Sequence, residues 1–246
     1  MSVMVITGGS RGIGRAVVLG AAARGWDVVF SYVSNSDAAA ATAAEAKALG
    51  VRCKVLQGDA RDEAHLAALF DLGASIGTVD KCVINAGVVD VQATLADMTA
   101  DRIQRVIDIN VVGALLTARE AARRMPKSKG GAGGSIVLLS SAAARLGGAN
   151  NFVDYGAAKG AMDTLARGLS DEISGDGVRV NAVRPGIIDT EIHADAGLPD
   201  RVAEIGHLQP MGRAGTAEET AEAILWLLSN ASSYSTGTHL DVSGGR

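Results

Sequence analysis

Disulfide chemistry, metal ligation and membrane insertion find little raw material in this chain. Among 246 residues there are only two cysteines, Cys53 and Cys82, both inside apolar strand-like segments. They read as buried free thiols of a reducing compartment, not as a disulfide framework. The four histidines are scattered and no CxxC or HxxxH spacing occurs, so no metal site is expected. No apolar run approaches the ~18 residues that a membrane span requires. The opening stretch, MSVMVITGGS, passes straight into a strand pattern with no basic leader or small-residue cleavage site, which leads us to expect a cytoplasmic protein. A formal charge of −4 lacks the basic excess that nucleic acid or an anionic membrane surface would select.

What is present is a globular composition, 48% hydrophobic and 20% charged. Short β-branched runs recur at 3–7, 27–32, 51–57, 81–85, 135–140, 178–183 and 238–242. Most are continuously apolar, as strands covered on both faces must be. Between them lie Ala/Leu-rich helical patterns near 12–25, 36–48, 62–76, 101–125, 154–174 and 216–229. Asp62, Asp101 and Thr216 are the expected N-caps, and Glu219 completes a capping box with Thr216. The alternation predicts one doubly wound α/β domain over 1–246, a seven-stranded parallel sheet with helices on both faces.

Two segments interrupt the alternation. KSKGGAGG (127–134) reads as a flexible surface loop. The stretch 188–215, with Pro199 and Pro210, is too long for an ordinary connection. It follows the C-terminal end of the sixth strand, where a lid over a ligand crevice is expected.

VMVITGGSRGIGRAV is a strand, a glycine-rich turn and the start of a helix. Gly8, Gly12 and Gly14 let the backbone turn tightly and approach a pyrophosphate, with Ser10, Arg11 and Ile13 in the same turn. The helix then presents unpaired amides and its positive dipole end to the phosphates. The second strand ends in FSYVSN without the carboxylate that normally binds the ribose of NAD. Ser31, Ser34 and Asn35 could bond a 2′-phosphate, and Arg11 could supply charge to it. NADP(H) is therefore the expected cofactor, with NAD(H) second.

Tyr155 and Lys159 lie four apart on a predicted helix and share one face. A phenol titrates near ~10, and a neighbouring ammonium is expected to lower that value toward a working acid/base. Ser140 and Ser141 end the fifth strand; Ser141 is placed to donate to a carbonyl oxygen, and alternation turns Ser140 to the other face. INAG (84–87) ends the fourth strand, with Gly87 allowing close backbone approach to the cofactor. Asn110 is unfavourable inside a helix. It either satisfies helix backbone as a buried amide or forms a link in a proton relay behind Lys159.

These motifs, in this order and spacing from Thr7 to the terminal DVSGG (241–245), resemble the short-chain dehydrogenase/reductase family in its TGxxxGxG/YxxxK branch. The likeness extends to members acting as 3-oxoacyl carrier-protein reductases and as sugar dehydrogenases. It implies a Rossmann-type fold, a homotetramer, and a catalytic tetrad of Asn110, Ser141, Tyr155 and Lys159. It also implies that Asp59 and Ala60 contact adenine, that Asn85, Ala86 and Gly87 line the cofactor, and that Pro185, Gly186, Ile188 and Thr190 hold the nicotinamide half. Two positions depart from the pattern: Ile84 replaces a usual asparagine, and the gap from Ser141 to Tyr155 is one residue longer than the commonest.

The expected reaction interconverts a carbonyl and a secondary alcohol on a small molecule, with no nucleic acid or membrane partner. Ser141 would orient the carbonyl, Tyr155 donate the proton, Lys159 tune the phenol and Asn110 hold a relaying water. The rivals are a cofactor-binding regulatory protein without catalysis, a sugar dehydrogenase, and an enoyl reductase, whose relatives separate tyrosine and lysine by six residues instead of three. Residues 142–152, 88–92 and 188–212 are expected to line the substrate pocket. Within it, Leu146, Phe152 and Met211 supply an apolar character and His193 faces solvent.

Overall fold

The computed structural model describes residues 1–246. Seven strands form one sheet: β1 (Ser2–Ile6), β2 (Asp27–Tyr32), β3 (Cys53–Gln57), β4 (Thr78–Ile84), β5 (Gly134–Leu139), β6 (Val178–Pro185) and β7 (His239–Val242). Their order is β3-β2-β1-β4-β5-β6-β7 and every pairing is parallel. The strand order reverses between β1 and β4, so the C-terminal ends of those two strands open a crevice. No helix is long and apolar enough to cross a membrane.

Each face of the sheet carries its own apolar layer. On one side, α1 (Gly12–Ala23), α2 (Ser36–Ala48) and α10 (Ala217–Leu228) bury Val17, Ala21, Ala43 and Leu225 against Met4, Ile6 and Phe30. On the other, α3 (Glu63–Ala74), α5 (Gly113–Arg124) and α7 (Val153–Ile173) pack Leu69, Ala118 and Met162 on Val5, Ile84 and Leu138. Strands buried on both faces explain why their sequences are continuously apolar instead of alternating.

Helix starts follow the caps with one exception. Asp62 accepts from the amides of Ala64 and His65, and Thr216 with Glu219 forms the reciprocal box. The predicted cap at Asp101 is displaced: Thr99 accepts from the Arg102 amide at 3.2 Å, and α4 (Ala100–Ile107) begins there. Asp101 then sits in the first turn, where its charge complements the helix dipole.

The expected single helix over 101–125 is also divided. Between α4 and α5 the backbone widens into a π turn over Asp108–Val112, centred on Asn110. Such turns place an extra residue in the helix and recur at functional sites.

The loop at 127–134 is tied down, contrary to expectation. Asp176 accepts from the amide of Ser128 at 3.0 Å and from its hydroxyl, and Gly131 and Gly133 donate to Pro126 and Met125. The segment 188–215 folds into α8 (Ile192–Asp195) and α9 (Arg201–Ile205). Ile188 and Gly215 close its base as a parallel bridge, with Asp189 donating to Gly215 and Gly215 to Ile187, both at 2.9 Å.

Candidate active site

The glycine turn is held from three sides. The Asn85 carboxamide donates to the Thr7 and Gly8 carbonyls at 2.9 and 2.8 Å, and the Thr7 hydroxyl accepts from the Asn85 and Ala86 amides, both at 3.2 Å. Thr42 of α2, fully buried, donates to the Ser10 carbonyl. Gly8 and Gly12 have φ of +72° and +51°, and a Cβ on Gly14 would lie 2.0 Å from the Gly8 oxygen. Thr7 and Thr42 were not legible as supports of this turn, because a threonine in a strand or helix has no special spacing.

Helix α1 begins at this turn with no side-chain cap and no acid in its first turn. Its leading amides and positive dipole end are therefore left for an external anion. That donor set fits the pyrophosphate of a nicotinamide dinucleotide.

The residues expected to grip the adenosine half are placed less simply. Ser31 is buried, and its main-chain oxygen accepts from the Gly9 amide. Asn35 caps α2 through its side chain, accepting from Ala38 at 2.9 Å. Ser34 is exposed. The Asp59 carboxylate is engaged by Arg61, whose hydrogen bond pulls its pKa down; Ala60 is buried against Gly113. Arg11 turns toward the lid and pairs with Asp195 of α8. A phosphate at this position has to compete for a guanidinium that is already engaged.

At the other end of the crevice, Ser141, Tyr155 and Lys159 gather beyond β5. Lys159 is buried and its ammonium donates to the Leu139 carbonyl at 2.7 Å. The same nitrogen lies 5.4 Å from the centre of the Tyr155 ring. Burial pushes Lys159 down to about 8, with Asp163 opposing. Burial pushes the Tyr155 phenol up to about 12, while the facing Ser141 hydroxyl pulls it back. This departs from the expectation of a lowered phenol: in the protein alone desolvation outweighs the Ser141 hydrogen bond, and Tyr155 is held protonated. Ser140 points away as strand alternation predicted, donating to the Lys159 carbonyl from the buried side.

Asn110 pairs with the main chain of its own helix and of the segment after β4. Its amide donates to Val106 and Val88 carbonyls at 2.9 Å each, and its oxygen accepts from the Val88 amide. Gly87 lies against it: a Cβ there would sit 2.6 Å from the Asn110 oxygen and 3.5 Å from the Lys159 ammonium. The need for glycine at 87 thus arises from Asn110, a reason the sequence did not disclose.

Further pieces support α7. Arg102 and Asp154 form an ion pair in the interior, with the Tyr155 amide donating to the same carboxylate. Pro185 accepts from Ala142, and Gly186 is pressed against Ser243, where a Cβ would meet backbone at 2.7 Å. Ile188 is buried, and Thr190 lies beside Gly12, so the lid base reaches the glycine turn. His193 does not face solvent as expected; its Nε2 is 2.9 Å from the Ile188 oxygen. Leu146 and Met211 are exposed, and the adjoining cleft of about 680 Å³ includes Arg145, Arg213 and Arg246 among its walls. Glu219 and Asp241 complete its charged lining, and Ser141, Phe152, Tyr155 and Lys159 lie off it.

Comparison with known proteins gives a coherent picture. Residues 8–246 match a family model described as enoyl-(acyl carrier protein) reductase. The chain is 46% identical to the oxidoreductase YgfF of Escherichia coli, covering 100% of both chains. It is 38% identical to cis-4-hydroxycyclohexanecarboxylate dehydrogenase of Sinomonas cyclohexanicum, covering 99% of this chain and 95% of that one. A short-chain type dehydrogenase/reductase from Mycobacterium marinum superposes with a TM-score of 0.91 at 34% identity, covering 99% and 94% of the two chains.

Proposed function

The chain belongs to the short-chain dehydrogenase/reductase family of NAD(P)-dependent oxidoreductases, and from that premise we propose that it reduces a ketone to a secondary alcohol with NADPH, using Tyr155 as the proton donor. The observation that supports this most is the meeting of Ser141, Tyr155 and Lys159 at the sheet edge, with Asn110 one glycine away. A protein that only bound the cofactor would have no use for a buried lysine beside a protonated phenol.

The turn residues Gly8 to Gly14 and the amides of α1 would hold the dinucleotide, which supplies hydride when bound. Ser141 donates to the carbonyl oxygen and fixes its position beside the phenol. Tyr155, protonated at neutral pH, delivers its proton to the alkoxide oxygen as it forms. Lys159 presents an ammonium to the phenolate left behind. The carbonyl oxygen of Leu139 holds that ammonium in place. Asn110, by fixing Val88 and its own helix, shapes the wall from which a water can return the proton.

NADPH is favoured over NADH because β2 ends without an acid that would repel a 2′-phosphate. Arg11 supplies the positive charge once it leaves Asp195. The test is a panel of ketones, 3-oxoacyl esters and sugars followed by loss of NADPH absorbance. At least one ketone is expected to be reduced by the wild type and not by Tyr155→Phe. Equal turnover in that variant would overturn the role of Tyr155, and a clear preference for NADH would overturn the choice of cofactor.

A further inference from the structure

Helix α1 carries no acid in its own first turn, yet two carboxylates stand over its start, and both come from the lid. Glu191 caps α8 at its beginning and Asp195 ends it, with the Asp195 amide donating to the Glu191 carbonyl at 3.1 Å. Four residues apart on one helical turn, the two side chains share a face. That face lies on the glycine turn. Asp195 takes the Arg11 guanidinium, and Glu191 Oε2 lies 3.5 Å from where a Cβ on Gly12 would stand, beside Thr190 Cγ2 at 3.4 Å.

The electrostatics agree with this placement. The hydrogen bond to Asp195 holds Arg11 above its ordinary pKa, and the charge of Glu191 adds to the effect. What favours Glu191 there is the field of Arg11 together with the positive end of α1, which no acid of that helix answers. These are the same two features read above as binding a dinucleotide: Arg11 for a 2′-phosphate, the turn and its amides for the pyrophosphate. The lid brings one negative charge to each. Arg11 and Asp195 are 50% and 45% exposed in their side chains, so the pair is weakly held, and a phosphate, with more charge and more acceptor oxygens, can displace it.

We propose that Glu191 and Asp195 are surrogates for the phosphates of the cofactor: they dock the lid on the glycine turn, and the dinucleotide binds by displacing both. Asp195 competes with the 2′-phosphate for Arg11, and Glu191 competes with the pyrophosphate at Gly12. Loading the cofactor thereby detaches α8 from the turn. This rests on the reading of the turn as the pyrophosphate cradle and adds the residues that contest it.

Calorimetric titration of NADPH and of NADH into the wild type, Glu191→Gln and Asp195→Asn at one ionic strength separates the two acids. Glu191→Gln is expected to bind both cofactors about two- to fivefold more tightly, because both carry a pyrophosphate. Asp195→Asn is expected to gain by a similar factor for NADPH alone. Before any cofactor is added, the hydrogen-exchange protection of the Ala196 amide, which donates to the Ile192 carbonyl, is expected to fall about severalfold in the double variant. Unchanged or weaker cofactor binding in Glu191→Gln, a gain shared equally by the two cofactors in Asp195→Asn, or unchanged protection at Ala196 would each overturn the proposal. A wild type that binds neither cofactor would defeat the reading of the turn and the proposal with it. A wild type that binds them while neither variant gains would defeat the proposal alone.

Discussion

Arg102 of α4 and Asp154 of α7 meet in a buried ion pair: Nε donates to one carboxylate oxygen at 2.9 Å and Nη2 to the other at 3.3 Å. The guanidinium also donates to the Val91 carbonyl at 2.5 Å, and the carboxylate accepts from the Tyr155 amide at 2.9 Å. One pair thus ties the loop after β4 to the first turn of the catalytic helix. Burying two charges is costly, so the pair adds less to stability than to the uniqueness of this arrangement.

Breaking one half leaves the other charge buried and alone. Arg102→Met is expected to lose about 3–5 kcal/mol of stability, seen as a large drop in the thermal midpoint. Arg102→Met combined with Asp154→Leu is expected to recover much of that loss. The double variant keeps a lowered kcat, because the Tyr155 turn and Val91 are no longer joined. A double variant with wild-type kcat would show that the pair has no positioning role.

Asn110→Leu removes a side chain that serves three backbone groups at once. Each buried group left unpaired costs about 1–3 kcal/mol. Loss of stability is therefore expected together with a drop in kcat of at least tenfold, measured by denaturant unfolding and by NADPH consumption. Restoring a small residue opposite does not rescue it, because the lost bonds are to main chain.

The pH profile of reduction follows from two groups. Tyr155 at about 12 stays protonated across the neutral range, and so does not limit the proton it gives. Lys159 at about 8 is charged below that value and neutral above it. kcat/KM for ketone reduction in the free enzyme is therefore expected to be flat near pH 6–7 and to decline as pH rises through about 8. A rise over that interval would contradict the role given to the ammonium.

Arg11, read above as the cation for the 2′-phosphate of NADPH, is paired with Asp195 in the free protein. Asp195→Asn frees Arg11 and is expected to lower KM for NADPH several-fold with little change for NADH, whereas Arg11→Ala raises KM for NADPH. Steady-state kinetics with both cofactors decide it. Equal effects on the two would remove Arg11 from phosphate binding.

The seven strands of the parallel sheet and most helices were open to reading because they rest on local pattern: continuous β-branched runs, helical Ala/Leu spacing and the box at Thr216 and Glu219. The position of Tyr155 over Lys159 follows from helical geometry alone. What pattern does not carry is the outcome of competition between partners far apart in the chain. Arg11 could serve a phosphate or Asp195, and only the lid's return across the glycine turn decides for the second in the free protein. The sequence offers Asn35 to a phosphate, whereas in the fold its side chain caps α2 at the Ala38 amide. Arg102 and Asp154 each look like ordinary surface charges, and nothing in their spacing announces that they meet indoors. The sign of the Tyr155 shift was misread because the sequence shows the neighbouring cation but not the loss of water around the phenol.

The bridge between Ile188 and Gly215 closes the lid on itself where it leaves and rejoins the sheet. The segment between those two residues leaves and returns at one fixed base, and the Arg11–Asp195 pair and the bond from the Met211 amide to the Gly244 carbonyl tie it across the glycine turn and the C-terminal stretch. An engineer grafting this segment from a relative therefore has to keep a partner for Arg11 and a donor for Gly244 if the rest of the fold is to stay as it is.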